Sequence, residues 1–246
     1  LPDCYQVNDR HRKIAKKTPT RLESGLPEVG FVFCCFNNTY KITPAVFDIW
    51  MRALKGIPGS VLWLLEVNRE SVVNLRREAK KRGVHPERLV FTPRMSMEKH
   101  LARFRIADLF LDTFPYNAHT TASDALWAGL PVLTCTGEPF ASRVAGSLLT
   151  AIGLPELITT SLADYEVLAV RLARSPARLA GLRKRLQKNR LTAPLFDSPR
   201  FTRHIESAYQ MMWEVYLKGE PPHRIDVPAL PPPGKSASRK PARKRA

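Results

Sequence analysis

The sequence predicts an α/β fold in which a parallel sheet carries helices on both faces. Three observations carry this reading. Short continuous apolar runs of strand length alternate with amphipathic stretches of helical period at least five times. The apolar runs lack the polar–apolar alternation of a sheet with one wet face, so they are expected to be buried on both sides. Polar residues gather just after several of these runs, at the carboxyl ends of strands, where sheets of this kind bind ligands. The crossovers are expected to be right-handed.

The elements follow in order. Residues 1–28 are polar and basic, with Pro19 and Pro27 and little periodicity, and read as an extended lead-in segment. A domain over 29–219 begins with the apolar run Gly30–Phe36, the first strand. Asn37 to Lys41 form a polar turn. Thr43 as N-cap and Pro44 in the first turn start a helix that places Phe47, Trp50, Met51 and Leu54 on one face and ends at Gly56. Ser60–Leu65 is the second strand. Ser71–Arg82 is a basic amphipathic helix stopped by Gly83. Leu89–Phe91 is the third strand, and Ser96 is expected to cap the helix that carries His100 and Arg103. Ala107–Leu111 is a strand, Thr121–Ala128 a helix and Gly129 its stop. Pro131–Thr134 is a strand, Phe140–Ile152 a helix, and Leu157-Ile158 a last short strand. Helices over 162–174, 176–190 and 198–218 complete the domain. The last of these carries a wide stripe of Phe201, Ile205, Tyr209, Met212, Trp213 and Tyr216, suited to packing against a neighbouring lobe. From Glu220 onward, prolines followed by Lys, Arg, Ser and Ala predict a disordered tail over 220–246.

Composition bounds the function classes. Hydrophobic residues make up 44% of the 246, enough for a real core. No apolar run approaches the roughly 18 residues of a membrane span. The opening Leu1-Pro2-Asp3-Cys4 is no signal peptide, and without an initiator Met it points to a fragment or a trimmed chain. Cys4, Cys34, Cys35 and Cys135 have no metal-site spacing and read as reduced, buried thiols of a cytoplasmic protein. The formal net charge of +17 raises nucleic acid as a partner. Six of the basic residues lie in the last twelve positions and the rest are spread over helix faces, so nucleic-acid binding is not expected as the main function.

The chemistry concentrates in Asp112–Ala128. A hydroxyl pair, Thr120 and Thr121, stands at a helix start, where side-chain caps and free N–H groups favour an anion such as a phosphate. Asp124, a turn further on, has the chemistry to accept hydrogen bonds from a sugar diol; an ordinary capped helix is the alternative. His119 precedes the helix as a donor to phosphate or sugar. Lys41, at the end of the first polar loop, suits a cation over a diphosphate leaving group, with Asn38 as an amide donor beside it. His100 and Arg103, three apart on one helix face, suit the edge of a base or ribose. The glycine signatures of dinucleotide and P-loop sites are missing, and no metal-ligand motif stands out. These residues suit a nucleotide diphosphate held by lysine, histidines, hydroxyls and backbone N–H groups, without an obvious metal motif.

Several long motifs in the right order carry a resemblance. Phe33 to Ile42, Ser60 to Leu65, Asn117 to Gly129 and Ala141 to Ala145 resemble the C-terminal catalytic lobe of the protein O-GlcNAc transferases, the family that includes the plant SPINDLY-type fucosyltransferases. The likeness covers about Leu1 to Pro222. It implies a Rossmann-like parallel sheet, the C-terminal half of a GT-B glycosyltransferase, and an inverting reaction without a catalytic metal. The implied donor is UDP-GlcNAc or a related UDP-sugar, and the implied acceptor a protein Ser or Thr hydroxyl. By resemblance Lys41 stabilises the departing diphosphate with Asn38 beside it, His119, Thr120 and Thr121 face the phosphates and sugar, Asp124 holds the ribose, and His100 and Arg103 border the uridine. Asn38 is shorter than the glutamine of many members. Met95 and Met97 replace an alanine and a lysine near the base; only the Met95 backbone contact carries over. The N-terminal lobe and the tetratricopeptide repeats that such enzymes use to grip the acceptor are not in this sequence, so the chain is expected to form the donor half of a cleft. A non-catalytic nucleotide-binding or interaction module is the competing expectation.

Overall fold

The computed structural model describes residues 1–231. Six parallel strands, β1 (Val32–Cys35), β2 (Val61–Leu65), β3 (Leu89–Thr92), β4 (Leu109–Leu111), β5 (Val132–Cys135) and β6 (Ile158–Thr159), form one sheet in the order β3-β2-β1-β4-β5-β6. The chain first winds outward from β1 to β3, then returns and winds the other way from β4. The direction therefore reverses between β1 and β4, where Phe33 pairs with Leu109 and Cys34 with Phe110. Loops leaving these two strands diverge and open a crevice at the carboxyl edge, the switch point of a doubly wound sheet.

The strands form because their residues are apolar on both faces and rich in Val, Leu, Phe and Trp. Every residue of β1, β4 and β5 is buried. The helices are α1 (Pro44–Gly56), α2 (Arg69–Lys81), α3 (Met97–Arg103), α4 (Thr120–Ala128), α5 (Val144–Ala151), α6 (Leu162–Ala173), α7 (Pro176–Asn189) and α8 (Ser198–Leu217). Local signals place most of their ends. Thr43 Oγ1 accepts the Val46 N–H at the start of α1, and Gly129, at φ +91°, closes α4 in the left-handed region that a side chain would strain. Two expectations differ at this level. Ser96 gives no side-chain cap to α3. The helix expected over 140–152 is a 3-10 turn at Phe140–Ser142 followed by α5.

Residues 1–28 follow an irregular course, but they are packed onto the domain rather than simply leading into it. Cys4, Asn8 and Leu26 are buried, Asn8 donates to Leu195 O, and Trp127 Nε1 donates to Arg12 O. Residues 220–231 belong to the segment for which composition predicts disorder. They form no helix or strand, yet they fold back against α8. The buried Arg200 donates to Pro231 O at 2.6 Å, to Leu230 O at 2.7 Å and to Asp3 Oδ2 at 2.6 Å. Leu230 N–H donates to His204 Nε2 at 3.2 Å, while His204 Nδ1 faces Asp3 at 3.5 Å. A guanidinium engaged through all three of its nitrogens thus ties both ends of the described chain to one helix. The basic run from Lys235 lies outside the described residues. Among the described residues no helix is long and apolar enough to cross a membrane.

Arg200→Ala removes three hydrogen bonds made by a buried guanidinium and takes its cation from the half-buried Asp3. It is expected to lower stability by about 2–3 kcal/mol in urea denaturation. Limited proteolysis near Leu230 and Pro231 should then become faster than in wild type, and an unchanged rate would mean that these contacts do not hold the segment.

Candidate functional site

The crevice between β1 and β4 is organised by a buried carboxylate. Asp112 ends β4 and is 1% exposed. Its Oδ1 accepts from Ala118 N–H at 2.6 Å, Thr113 N–H at 2.7 Å and Asn37 Nδ2 at 3.2 Å, and its Oδ2 from Thr134 Oγ1 at 2.6 Å. Asn37 also donates to Thr113 Oγ1 and accepts from Thr121 Oγ1. The carboxylate thereby ties the ends of β1, β4 and β5 to the start of α4. Burial pushes the Asp112 carboxyl up to about 7 against these donors.

At the start of α4 the N-cap position falls on His119, one residue earlier than a threonine cap would place it, and no side chain caps the helix. Thr120 and Thr121 are the first helical residues. Thr120 is exposed, and Thr121 turns its hydroxyl to Asn37. Among the described residues, the N–H groups of Thr120, Thr121 and Ala122 have no acceptor. The missing cap therefore leaves donors and the positive helix end open to an anion. His119 Nε2 is buried without a partner and its Nδ1 stands 3.5 Å from Tyr5 Oη. Burial, with the Lys41 charge second, lowers the His119 pKa and favours the neutral ring.

Asn38, Met95, His100, Arg103, Thr121 and Asp124 all line one open cleft of about 290 Å³. They come from the loops after β1, β3 and β4, together with α3 and α4, as the three-loop edge expected from the sequence requires. His119 and Thr120 line an adjoining hollow of about 370 Å³ with Tyr5, Asn8 and Arg12. Lys41 lines neither. It ends a 3-10 turn, donates from Nζ to Asn117 O at 2.9 Å and lies 3.7 Å from the centre of the Tyr116 ring. Its pKa is lowered by burial, with Asp112 opposing. The Asn38 side chain makes no hydrogen bond among the described residues, whereas its neighbour Asn37 is fully engaged below the cleft.

Two residues differ from the direct ligand contacts expected of them. Arg103 is 1% exposed. It donates to Pro93 O at 2.9 Å and Thr92 Oγ1 at 3.2 Å, contacts His100 Nδ1, and lies over the Phe36 ring at 4.2 Å. It is a support beneath the cleft, holding the loop that carries Met95, rather than a group reaching freely to a base. A guanidinium only donates, so His100 Nδ1 accepts and the neutral ring carries its proton on Nε2, which has no protein partner among the described residues. Burial, then Arg103, pulls His100 down to about 4. Asp124 is not a free acceptor either, for Arg12 pairs with its Oδ1. Its Oδ2 has no protein partner among the described residues.

Asn37, Asp112, Asn117 and Arg12 are the site residues that motif reasoning passed over. Asp112 had a signal, an acid closing an apolar strand run at the edge where loops converge. Arg12 had none, since it lies 112 residues from its partner.

The sheet order and the cleft at its reversal are those of one lobe of the two-lobed GT-B glycosyltransferases. The sequence pattern of glycosyl transferase family 41 matches residues 9–205, and the chain belongs to that family. Among curated relatives, a probable UDP-N-acetylglucosamine–peptide N-acetylglucosaminyltransferase SEC of Arabidopsis thaliana is 41% identical over 92% of this chain. A UDP-N-acetylglucosamine–peptide N-acetylglucosaminyltransferase of Caenorhabditis elegans is 38% identical over 82% of it. The chain spans only 24% and 18% of those relatives. In structure, a mutant O-GlcNAc transferase of Thermobaculum terrenum matches 77% of this chain and 37% of its own, at 35% identity and a TM-score of 0.74. A sucrose-phosphate synthase of Thermosynechococcus elongatus, 18% identical with a TM-score of 0.55 over 80% of this chain and 49% of its own, shares the fold.

Asp112→Ala strips the acceptor from four donors and is expected to cost about 3 kcal/mol or more, read by urea denaturation. Because the folded value of about 7 lies above the ordinary 3.8, native Asp112 keeps its proton where the unfolded carboxyl has lost it. Its contribution to stability is fully present below 3.8 and is lost as pH rises through about 7. The stability difference between wild type and Asp112→Asn should therefore change across that window, and a difference flat with pH would contradict the burial. For His100, an NMR titration is expected to place the midpoint near 4; a midpoint at its ordinary 6.5 would mean that the ring is not held against Arg103.

Proposed function

We propose that this chain is the donor-binding lobe of a protein O-GlcNAc transferase, which moves a sugar, GlcNAc from UDP-GlcNAc, to Ser and Thr hydroxyls of proteins. The observation that carries the reading is the convergence of residues from three separate loops on one cleft beside an uncapped helix start. The activities for which the family relatives are named supply the donor and acceptor. In this reading the uracil lies against Met95 and His100, with the Met95 backbone and His100 Nε2–H as its polar partners. Asp124 accepts from the ribose. The diphosphate takes the free N–H groups of α4, with His119, Thr120 and Thr121 around it. Asn38 flanks the sugar end.

The acceptor hydroxyl attacks the anomeric carbon and releases its proton to solvent as the bond to the β-phosphate oxygen breaks, so the configuration inverts and negative charge appears on the diphosphate. Lys41 meets that charge. Its ammonium is held by Asn117 O and the Tyr116 face, and desolvation makes its charge more effective than in water. The cation and the helix end do the work of a leaving-group acid, and a metal has no part in the proposed step. The acceptor's own cradle lies elsewhere in the protein. The side chains of Tyr209, Met212, Trp213 and Tyr216 on α8 are exposed, and Trp213 stacks on Tyr216. We assign this stripe to contact with an N-terminal lobe, consistent with the quarter or less of each relative that the chain spans. The four free, buried cysteines suit a cytoplasmic setting.

Calorimetry of the full chain with UDP tests the site. Binding is expected, and Lys41→Ala should weaken it about tenfold or more, the scale of one charge-assisted contact. No binding at millimolar UDP would sink the assignment. Supplying an N-terminal catalytic lobe in trans should restore sugar transfer to a peptide; continued silence with UDP bound would favour a non-catalytic nucleotide-binding module.

A further inference from the structure

We propose that Arg12 is a positioning residue of the donor site, holding Asp124 so that one carboxylate oxygen is fixed by protein and the other is presented to the ribose diol. The inference rests on reading the cleft as a UDP-sugar site. It concerns a residue outside all three polar loops, on the segment that precedes the sheet.

The geometry is specific. The Asp124 side chain is 4% exposed and lies on α4 between the cleft and the adjoining hollow. Arg12 Nη1 pairs with Oδ1, and Arg12 Nη2 reaches Ser123 Oγ at 3.4 Å. The guanidinium is itself held in place. The carbonyl of Arg12 accepts from Trp127 Nε1 at 3.1 Å, its guanidinium carbon lies 6.0 Å from the Trp127 ring centre, and Ser123 Oγ donates onward to Asn8 Oδ1. Asp124 Oδ2 has no protein partner among the described residues, and Asp124 lines the cleft.

The physical need for such a cation is plain. A carboxylate this buried is driven towards its neutral form, and burial does raise the Asp124 pKa while Arg12 opposes the rise. A site for a diphosphate also disfavours an uncompensated acid. Arg12 answers both by cancelling the charge on the side away from the ligand, so Asp124 can serve as a hydrogen-bond acceptor without repelling the anion beyond it. A planar guanidinium also fixes the carboxylate plane, which a point charge does less well. Docking of the segment around residues 5–12 and recognition of the ribose are then one event.

The test compares UDP with 2′,3′-dideoxy-UDP, using calorimetry on the full chain. Wild type is expected to prefer UDP by about tenfold or more, the worth of hydrogen bonds to a charged acceptor. Asp124→Asn should reduce that preference, and Arg12→Met should reduce it to the same degree. Arg12→Lys should fall between wild type and Arg12→Met. If Arg12→Met weakens both ligands equally and keeps the preference, Arg12 has only a structural or bulk-charge role and the inference is overturned. Should Arg12→Met fail to fold, a preference in Arg12→Lys equal to wild type overturns it instead. A wild type that binds both ligands alike removes the ribose role of Asp124 and this inference, leaving the UDP site standing. A wild type that binds neither removes the site reading itself.

Discussion

The Asp112 carboxylate is the constraint on which the site depends. Four neutral donors from three elements converge on it, and the backbone of the same residue extends the network. Asp112 N–H donates to Leu133 O in the sheet, and Asp112 O accepts from Tyr165 Oη, which in turn accepts from Trp50 Nε1. Helices from both windings are thus joined through one residue at the point where the sheet reverses. A polar group this deep is costly unless satisfied, so its partners must all be in place together. The loop from Thr113 to Ala118 and the start of α4 therefore arrive as a set, with the anion-facing N–H groups already aimed.

The two buried acids of the site are satisfied by different means, with different consequences. Asp112 receives neutral donors on both oxygens and has nothing left to offer a ligand. Asp124 receives one cation on one oxygen and keeps the other. The first arrangement suits a strut, the second a recognition group. Arg103 shows the same division among the bases. Both its Nη groups are engaged by Thr92, Pro93 and His100, so it shapes the cleft from its floor, through the proton position on His100.

The fold was legible in the sequence where its causes are local. Apolar runs such as Phe33–Phe36 and Leu109–Leu111 have the length and composition of buried strands, and Thr43-Pro44 and Gly129 fix helix ends by their own stereochemistry. The meeting of three loops was legible too, because alternation of strand and helix dictates a parallel sheet and a parallel sheet puts those loops on one edge. Tertiary arrangements were not. Asn37 and Asn38 are adjacent and identical in type; only the strand's exit direction turns the first inward to Asp112 and the second to the cleft. Nothing near Arg12 or Asp124 announces a partner across the fold. Residues 220–231 have the composition of disorder, and the contacts at their far end come from Arg200 and His204 on another element.

That arginine has a mechanical consequence. Arg200 holds Asp3 and Leu230 at the same place, so strain at either end of the described residues reaches the other through one side chain.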